Sequence, residues 1–313
     1  MKLFRGFAVA SAALAVVIAV LGSWVRINDA GLTCPDWPLC RGALIPSLHG
    51  GVVLEWSHRL VALVESLVVL GAIVTGLRAR SVVAGVTPTL VALGIVFALQ
   101  VSLGGATVFL ANSPLSVMLH WGMGMALLAT LTILAVLSVL APARKLAEAQ
   151  FAGVGAGAAP ALAIAAAVAF ATMCAGAYVS SSYAGLACTT VPACDGTLLG
   201  NNPGQFVQMV HRLAGCAFAL VATFATGVAL QVGSPRVRAF ATLGAALVVA
   251  QIALGLGNVV WHLPIALREA HAANACAAFL AFVVAAVLAA LEPSRALALP
   301  ASARAPQRIA SGA

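Results

Sequence analysis

The chain has 313 residues, of which 63% are apolar and only 8% are charged. A soluble domain has about 25% charged and 45–50% apolar residues, so this composition excludes water-soluble enzymes, secreted disulfide frameworks and disordered chains. It predicts an all-α membrane protein, because about 20 apolar residues form one membrane-spanning helix. The 16 Lys and Arg residues outnumber the 8 Asp and Glu residues and give a formal charge of +8.

Long apolar runs predict eight transmembrane helices. They cover about residues 7–25, 52–76, 86–110, 116–141, 160–180, 205–231, 238–261 and 269–291. The first run follows Lys2 and Arg5 as a signal peptide would, but it lacks a clear small-x-small cleavage site, so we expect a retained helix. The residues from about 292 onward, rich in Pro, Ala and Arg, are expected to be a mobile tail.

The positions of the basic residues connect the positive charge with the orientation of the chain in the membrane. They concentrate at the two termini and in alternate loops: Lys2, Arg5, Arg78, Arg80, Arg144, Lys145, Arg236, Arg238, Arg295, Arg304 and Arg308. Loops rich in Lys and Arg stay on the cytoplasmic side of a membrane, which places both termini in the cytoplasm. The charge therefore indicates orientation in lipid and does not predict nucleic acid as a partner.

An internal repeat divides the chain. Residues 30–40 read AGLTCPDWPLC, and residues 184–194 read AGLACTTVPAC at an offset of 154 positions. The register continues through the paired residues His58 and His211, Gln100 and Gln251, and His120 and His271. We predict two tandem four-helix units, residues 1–150 and 151–313, related by a parallel pseudo-two-fold along the membrane normal.

Four histidines lie near the outer ends of predicted helices 2, 4, 6 and 8: His58, His120, His211 and His271. Ionisable side chains in membrane helices are costly and usually functional. Pairs of imidazoles from facing helices suit axial ligation of haem iron. Zinc is the weaker alternative, because a structural zinc site takes four clustered ligands, and copper stays open. An ordinary interfacial hydrogen bond would explain any one of these histidines alone.

Charged neighbours accompany the histidines. Arg59 and Arg212 each follow a proposed ligand and could pair with a haem propionate or extend to the lipid headgroups. Glu55 lies three residues before His58, where Gln208 stands in the second unit, so it could transfer a proton or form an ion pair with Arg59. The sequence suggests no role for Glu65, a further carboxylate within a predicted membrane helix.

The seven cysteines form two classes. Two pairs with equal spacing occupy equivalent outer loops: Cys34 and Cys40, and Cys188 and Cys194. Disulfides are plausible on an oxidising exterior, and a redox-active pair is the alternative. Cys174, Cys216 and Cys276 lie within helices and are expected to be small buried hydrophobic residues. His49 and His262 lack counterparts in the repeat and are expected to be solvated or near a cofactor edge.

These features together resemble bacterial haem A synthase over about residues 7–291. The resemblance is carried by the two four-helix units, the paired cysteines, the run Glu55-Trp56-Ser57-His58-Arg59, His120, His211-Arg212 and His271. It implies oxidation of the C8 methyl group of haem O to a formyl group by successive hydroxylations and loss of water, for cytochrome oxidase.

The resemblance also implies a role for each residue. His58 and His120 would bracket haem O with Glu55 essential beside it, and His211 and His271 would ligate a haem b that passes electrons. The two cysteine pairs are as in members with two outer-loop disulfides. The location implied is the bacterial cell membrane, with haem O synthase and cytochrome oxidase assembly factors as compatible partners and a homo-oligomer as a compatible state.

Two other functions fit parts of the sequence. A duplicated di-haem b protein that oxidises quinol would use the same histidines without chemistry on the porphyrin, but redox centres at one membrane depth disfavour transmembrane electron passage. A transporter or haem-handling chaperone could be built on a parallel repeat, but the helices show few polar residues beyond the proposed ligands.

Overall fold

The computed structural model describes residues 1–144 and 157–292. This part of the chain contains eight long helices: α1 (Lys2–Ile27), α2 (Gly51–Ala79), α3 (Val86–Phe109), α4 (Pro114–Arg144), α5 (Ala159–Ser181), α6 (Pro203–Val232), α7 (Pro235–Val260) and α8 (Ile265–Ala290). Each is long and apolar enough to cross a membrane, which confirms the all-α class and the eight predicted helices. The predicted unit boundary at residue 150 and nearly all of the predicted tail lie outside the described residues.

Several helices extend beyond the apolar runs that predicted them. The largest differences at helix starts are in α1, which begins at Lys2 instead of about residue 7, and in α8, which begins at Ile265 instead of about residue 269. The predicted run for α8 began just after the charged Arg268, although the backbone is already helical from Ile265. The first turn of α8, residues 265–268, therefore belongs to the helix.

Local sequence explains where α6 and α7 begin. The side chain of Asn202 accepts a hydrogen bond from the backbone of Gln205, and Ser234 accepts one from Val237. Proline follows each cap at the first helical position, where its missing N–H costs nothing. Both helices thus begin at a side-chain cap followed by proline.

The helices pack in two similar groups. In the first group α1 contacts α2 and α4, and α3 contacts α4; in the second group α5 contacts α6 and α8, and α7 contacts α8. The groups meet where α4 contacts α5 and α8 and where α1 contacts α8. The first helix is therefore an integral part of the bundle. The arrangement is consistent with the predicted parallel repeat, while the division into two units stays a prediction.

Small residues occupy the helix contacts and large apolar residues face outward. Ala72, Ala165 and Ala225 are fully buried, whereas Leu220 and Phe224 are 73% and 68% exposed. Small side chains let helices approach closely in lipid. The large exposed side chains form the apolar surface that a membrane-spanning bundle requires.

Candidate functional site

The structure brings His211 of α6 and His271 of α8 close together. Their ring centroids lie 6.4 Å apart and the ring planes are nearly perpendicular, at 76°. Two imidazoles that share one metal ion through bonds of about 2 Å have ring centres roughly 6 Å apart. The Nδ1 of His211 lies 3.2 Å from the carbonyl oxygen of Thr172. An N–H at Nδ1 would donate to this oxygen and leave Nε2 free as a ligand. We call His211 and His271 the second pair.

His58 of α2 and His120 of α4 occupy the corresponding places among the first four helices. The two half-buried imidazoles lie within electrostatic range of each other, and we call them the first pair. The buried Nδ1 of His58 has no hydrogen-bond partner among the described residues. The second pair has the separation that axial haem ligation needs, and the first pair lies at the equivalent helix positions. The role of both pairs as ligands stays a prediction.

Each of the four imidazoles packs against a glycine on the preceding helix. A Cβ atom added to the glycine would lie 3.0 Å from Cε1 of His58, 3.2 Å from that of His120, 2.8 Å from that of His211 and 3.3 Å from that of His271. The glycines are Gly22 of α1, Gly104 of α3, Gly176 of α5 and Gly255 of α7. Glycine is therefore the residue that leaves room for each ring.

Sequence reasoning did not assign a function to these glycines. The signal that could have found them is the repeat, since Gly22 and Gly176 are 154 positions apart and Gly104 and Gly255 are 151 apart. These offsets match those of the outer loops and of the later histidines. A glycine that recurs at the same repeat offset as a proposed histidine ligand is therefore a candidate for contact with that histidine.

The described residues contain no group of three or more His, Cys, Asp or Glu side chains that could hold a metal ion together. Each histidine pair offers two ligands. A structural zinc site takes four, so two axial ligands of a macrocycle remain the better match to each pair.

Disulfides close both outer loops. Cys34 and Cys40 are bonded in the first loop, residues 28–50, and Cys188 and Cys194 are bonded in the second loop, residues 182–202. An isolated β-bridge follows each disulfide, between Cys40 and Ala43 in the first loop. The structure thus has the stapled outer loops that the equal spacing suggested.

Glu55 is 4% exposed, and both of its oxygens are engaged. Oε2 accepts hydrogen bonds from the hydroxyl of Thr33 (2.9 Å) and the backbone N–H of Cys34 (2.8 Å), and Oε1 pairs with Arg59 at 2.7 Å. Gln208 performs the corresponding task in the second loop, where its Oε1 accepts from the N–H of Cys188 at 2.6 Å. The structure thus gives Glu55 a loop-holding role, and its catalytic role stays a prediction.

Arg59 and Arg212 also hold the outer loops. The guanidinium of Arg59 donates to the carbonyl oxygens of Cys34, Asp36 and Leu39 at 2.5–2.9 Å. That of Arg212 donates to the carbonyl oxygens of Cys188 and Thr190 at 2.8 and 2.7 Å. The equivalent arginines therefore make equivalent loop contacts, and a contact with a haem propionate stays a prediction.

Trp37 of the first loop packs on α3 beside the first pair. A Cβ atom added to Gly105 would lie 3.3 Å from Cδ2 of Trp37, and the adjacent Gly104 contacts the His120 ring.

Asp36, the residue before Trp37, accepts hydrogen bonds from the backbone N–H groups of Gly42 (2.7 Å) and Arg41 (2.5 Å). These bonds, that of Gly42 first, hold the pKa of Asp36 below its ordinary value. The first loop is thus ordered where it covers the first pair.

Several polar groups fall outside these contacts. Glu65 is 5% exposed and buried within the bundle. Glu269 of α8, which sequence reasoning missed because the predicted helix began there, accepts a 2.8 Å bond from Ser23 of α1. His49 and His262 are exposed.

The three free cysteines differ in exposure. Cys276 is buried and Cys174 is half-buried, but Cys216 is exposed. The expectation that all three are buried is therefore wrong for Cys216. A weakly polar thiol can face lipid as well as the protein interior, so its apolar character did not fix its side of the helix.

Comparison with known proteins places these features in a family. The chain matches the family model COX15-CtaA, described as cytochrome oxidase assembly protein, over residues 5–52 and 48–283. It is 29% identical over 279 residues to a heme A synthase of Bacillus licheniformis, an alignment that covers 87% of this chain and 91% of that protein. Heme A synthases of Bacillus pumilus and Shewanella oneidensis are 30% and 27% identical, over 64% and 86% of this chain and 66% and 91% of their own lengths.

Proposed function

The chain belongs to the COX15-CtaA family of cytochrome oxidase assembly proteins, and on that premise we propose that it is a haem A synthase. It oxidises the C8 methyl group of haem O to a formyl group and so supplies haem A to cytochrome oxidase. The observation that carries this proposal is the close His211–His271 pair with its repeat counterpart, His58 and His120. Each of the four rings packs against a glycine, and each group of four helices carries a disulfide-closed loop.

We further propose a division of labour between the two histidine pairs. The first pair holds haem O as substrate, and the second pair holds a resident haem b. Haem b supplies one-electron redox chemistry when it is bound. The 6.4 Å separation of the second pair supports this fit, as does the Thr172 carbonyl, which orients the His211 ring. Neutral imidazole is the ligand form that iron prefers.

Glu55 is the proposed proton-handling residue beside the substrate. Gln208 holds the second loop with an uncharged amide, so holding a loop does not require a carboxylate. The carboxylate is therefore available for a task that only the first site has. It is placed for that task because α2 carries it three residues before His58, on nearly the same helix face.

The test compares Glu55→Gln with the reciprocal change Gln208→Glu in cells that supply haem O. We expect Glu55→Gln to keep the loop, the disulfide and the haem b spectrum but to lose haem A production, because an amide accepts the loop hydrogen bonds without exchanging a proton. Gln208→Glu should retain haem A production. Pigment extraction and the visible spectrum of the purified protein measure both outcomes.

Normal haem A production by Glu55→Gln would restrict Glu55 to loop anchoring. Recovery of haem b alone from the wild-type chain in haem O-producing cells would instead support the di-haem b electron carrier.

We propose that the protein lies in the cell membrane with both termini in the cytoplasm and the disulfide loops outside. The basic residues at the N-terminus and in alternate loops support this orientation, as do the oxidised cysteine pairs. Reporter fusions at Met1 and after Glu292 should report cytoplasmic ends.

A further inference from the structure

Two polar side chains near the first pair bury oxygens without a partner. Glu65 of α2 is 5% exposed. Its Oε1 and the Oε1 of Gln100 on α3 have no hydrogen-bond partner among the described residues. Buried polar atoms are nearly always hydrogen-bonded, and those that are not call for an explanation. Both orphan atoms are oxygens, so the missing group is a hydrogen-bond donor.

Both side chains lie on the membrane-interior side of the first pair. Glu65 follows His58 by seven residues, which places it on the same face of α2 and about 10 Å further from the first loop. A Cβ atom added to Gly124 would lie 3.2 Å from Nε2 of Gln100, and Gly124 is one helical turn past His120. The two orphan oxygens therefore lie inward of the histidines, opposite the stapled loop.

Beside the second pair, the positions equivalent to Glu65 and Gln100 carry no unpartnered oxygen. In the repeat register Phe218 stands in the place of Glu65, and its ring packs against Phe282 with centroids 5.9 Å apart. Gln251 stands in the place of Gln100, but its Oε1 accepts a 2.7 Å bond from Asn274 and its Nε2 donates to the carbonyl of His271. Met123 occupies the place of Asn274 in the first four helices. At these two equivalent positions the scaffold thus leaves unpartnered oxygens only beside the first pair. The unpartnered buried oxygens of the second four helices, Oδ1 of Asn258 and Oε1 of Glu269, lie toward the outer ends of α7 and α8.

We propose that Glu65 and Gln100 form a subsite for the hydroxyl group that haem O carries next to its porphyrin ring. Haem b has a vinyl group at that position and offers no donor. A macrocycle held between His58 and His120 has one edge toward the loop and the opposite edge toward Glu65 and Gln100, where this hydroxyl would donate to one of the orphan oxygens. The subsite lets the first pair select haem O over haem b. This inference rests on the proposed function of the first pair.

The experiment measures which haem the protein retains. The full chain is produced in cells that make haem b together with haem O, purified and extracted. Haem b and farnesylated haem, meaning haem O plus haem A, are then counted per polypeptide. Glu65→Phe, which copies the second site, is expected to lower the ratio of farnesylated haem to haem b about five- to tenfold, the effect of losing one hydrogen bond. Gln100→Leu should lower the ratio in the same direction.

Three variants serve as matched controls. Ser66→Ala removes a hydroxyl whose only hydrogen bond among the described residues is to the carbonyl of Ala62 in its own helix, so it should leave the ratio unchanged. Glu65→Gln keeps an acceptor oxygen and should retain most of the selectivity. Gln251→Leu should disturb the haem b spectrum of the second pair and not the uptake of farnesylated haem.

The possible results separate the two proposals. A wild-type ratio in both Glu65→Phe and Gln100→Leu, with the second-pair spectrum intact, would overturn the subsite. Should Glu65→Phe fail to fold, as a lost second-pair spectrum would reveal, Gln100→Leu alone decides. Absence of farnesylated haem from the wild-type protein would contradict the proposed function itself.

Discussion

Individual residues show what the repeat preserves and what it changes. Glu55 and Gln208 both hold the first cysteine of their loops by its backbone N–H, at 2.8 and 2.6 Å. Trp37 and Gly105, in contrast, correspond to Val191 and Leu256. The first site thus combines a large loop residue with a glycine on the helix, whereas the second site combines a smaller loop residue with a leucine on the helix. Loop anchoring is common to both sites, whereas the loop surface that faces α3 is specific to the first.

This exchange predicts a compensating pair of substitutions. Gly105→Leu should displace Trp37, because a Cβ atom there already lies 3.3 Å from the indole, and overpacking costs about 1–3 kcal/mol. Adding Trp37→Val should recover much of this loss, since residues in contact are coupled by about 0.5–3 kcal/mol. The rate at which a phosphine reduces the Cys34–Cys40 disulfide measures loop opening, and we expect a rise of about tenfold for Gly105→Leu alone.

The Cys188–Cys194 disulfide is the internal control, because neither substitution touches the second loop. If Gly105→Leu and Trp37→Val change the reduction rate by independent factors that simply multiply in the double variant, a direct Trp37–Gly105 contact is contradicted.

At the scale of helices, the close contact between an imidazole and a glycine on the neighbouring helix occurs four times. It joins α1 to α2, α3 to α4, α5 to α6 and α7 to α8. Each glycine lets the helix backbones approach, as small residues do in membranes, and fixes the position of the ring. The histidine positions are therefore set by pairs of helices rather than by single helices.

Gly176→Ala tests this arrangement at its tightest contact. The added methyl group would lie 2.8 Å from Cε1 of His211, so the ring must move, at about 1–3 kcal/mol. The helix gains only about 0.5–1 kcal/mol from replacing glycine. We expect net destabilisation and loss of the low-spin haem b signal, measured by thermal unfolding and the visible spectrum.

Gly227→Ala on α6 is the control, since a Cβ atom there would meet no neighbour within 4 Å in the described part of the chain. It should keep the spectrum and be neutral or slightly stabilising. A wild-type spectrum in Gly176→Ala would show that the His211 ring does not need this glycine.

The sequence predicted the helices better than their contacts. All eight helices were predicted, because apolar runs of this length have few other solutions. The first turn of α8 was missed because the predicted run began only after the charged Arg268. Gly176 was missed among 29 glycines, although the repeat pairs it with Gly22, because only the structure shows the histidine opposite it. The loop contacts of Arg59 could not be foreseen, since backbone carbonyls leave no mark in a sequence.

In the whole molecule, residues at equivalent repeat positions contact each other where the two helix groups meet. Sγ of Cys276 lies 3.6 Å from Sδ of Met125, 151 positions earlier. Arg26 donates to the carbonyl of Ser180, and Tyr183 donates to Asp29, in both cases across 154 positions. Equivalent residues meet only at a rotation axis. These contacts are thus consistent with a pseudo-two-fold that passes through the junction of α1, α4, α5 and α8.

The outer end of this junction depends on Arg26. Its guanidinium lies 4.7 Å from the centroid of the Tyr183 ring and donates a 2.9 Å bond to the Ser180 carbonyl. Arg26→Ala removes the cation–π contact and a charge-assisted hydrogen bond, worth about 1–3 kcal/mol together. We expect a lower thermal unfolding midpoint in detergent. Tyr183→Phe keeps the ring and loses only exposed hydroxyl contacts, so it should cost less than about 1 kcal/mol. An Arg26→Ala midpoint equal to that of the wild type would show that the other contacts between the two helix groups hold them together without Arg26.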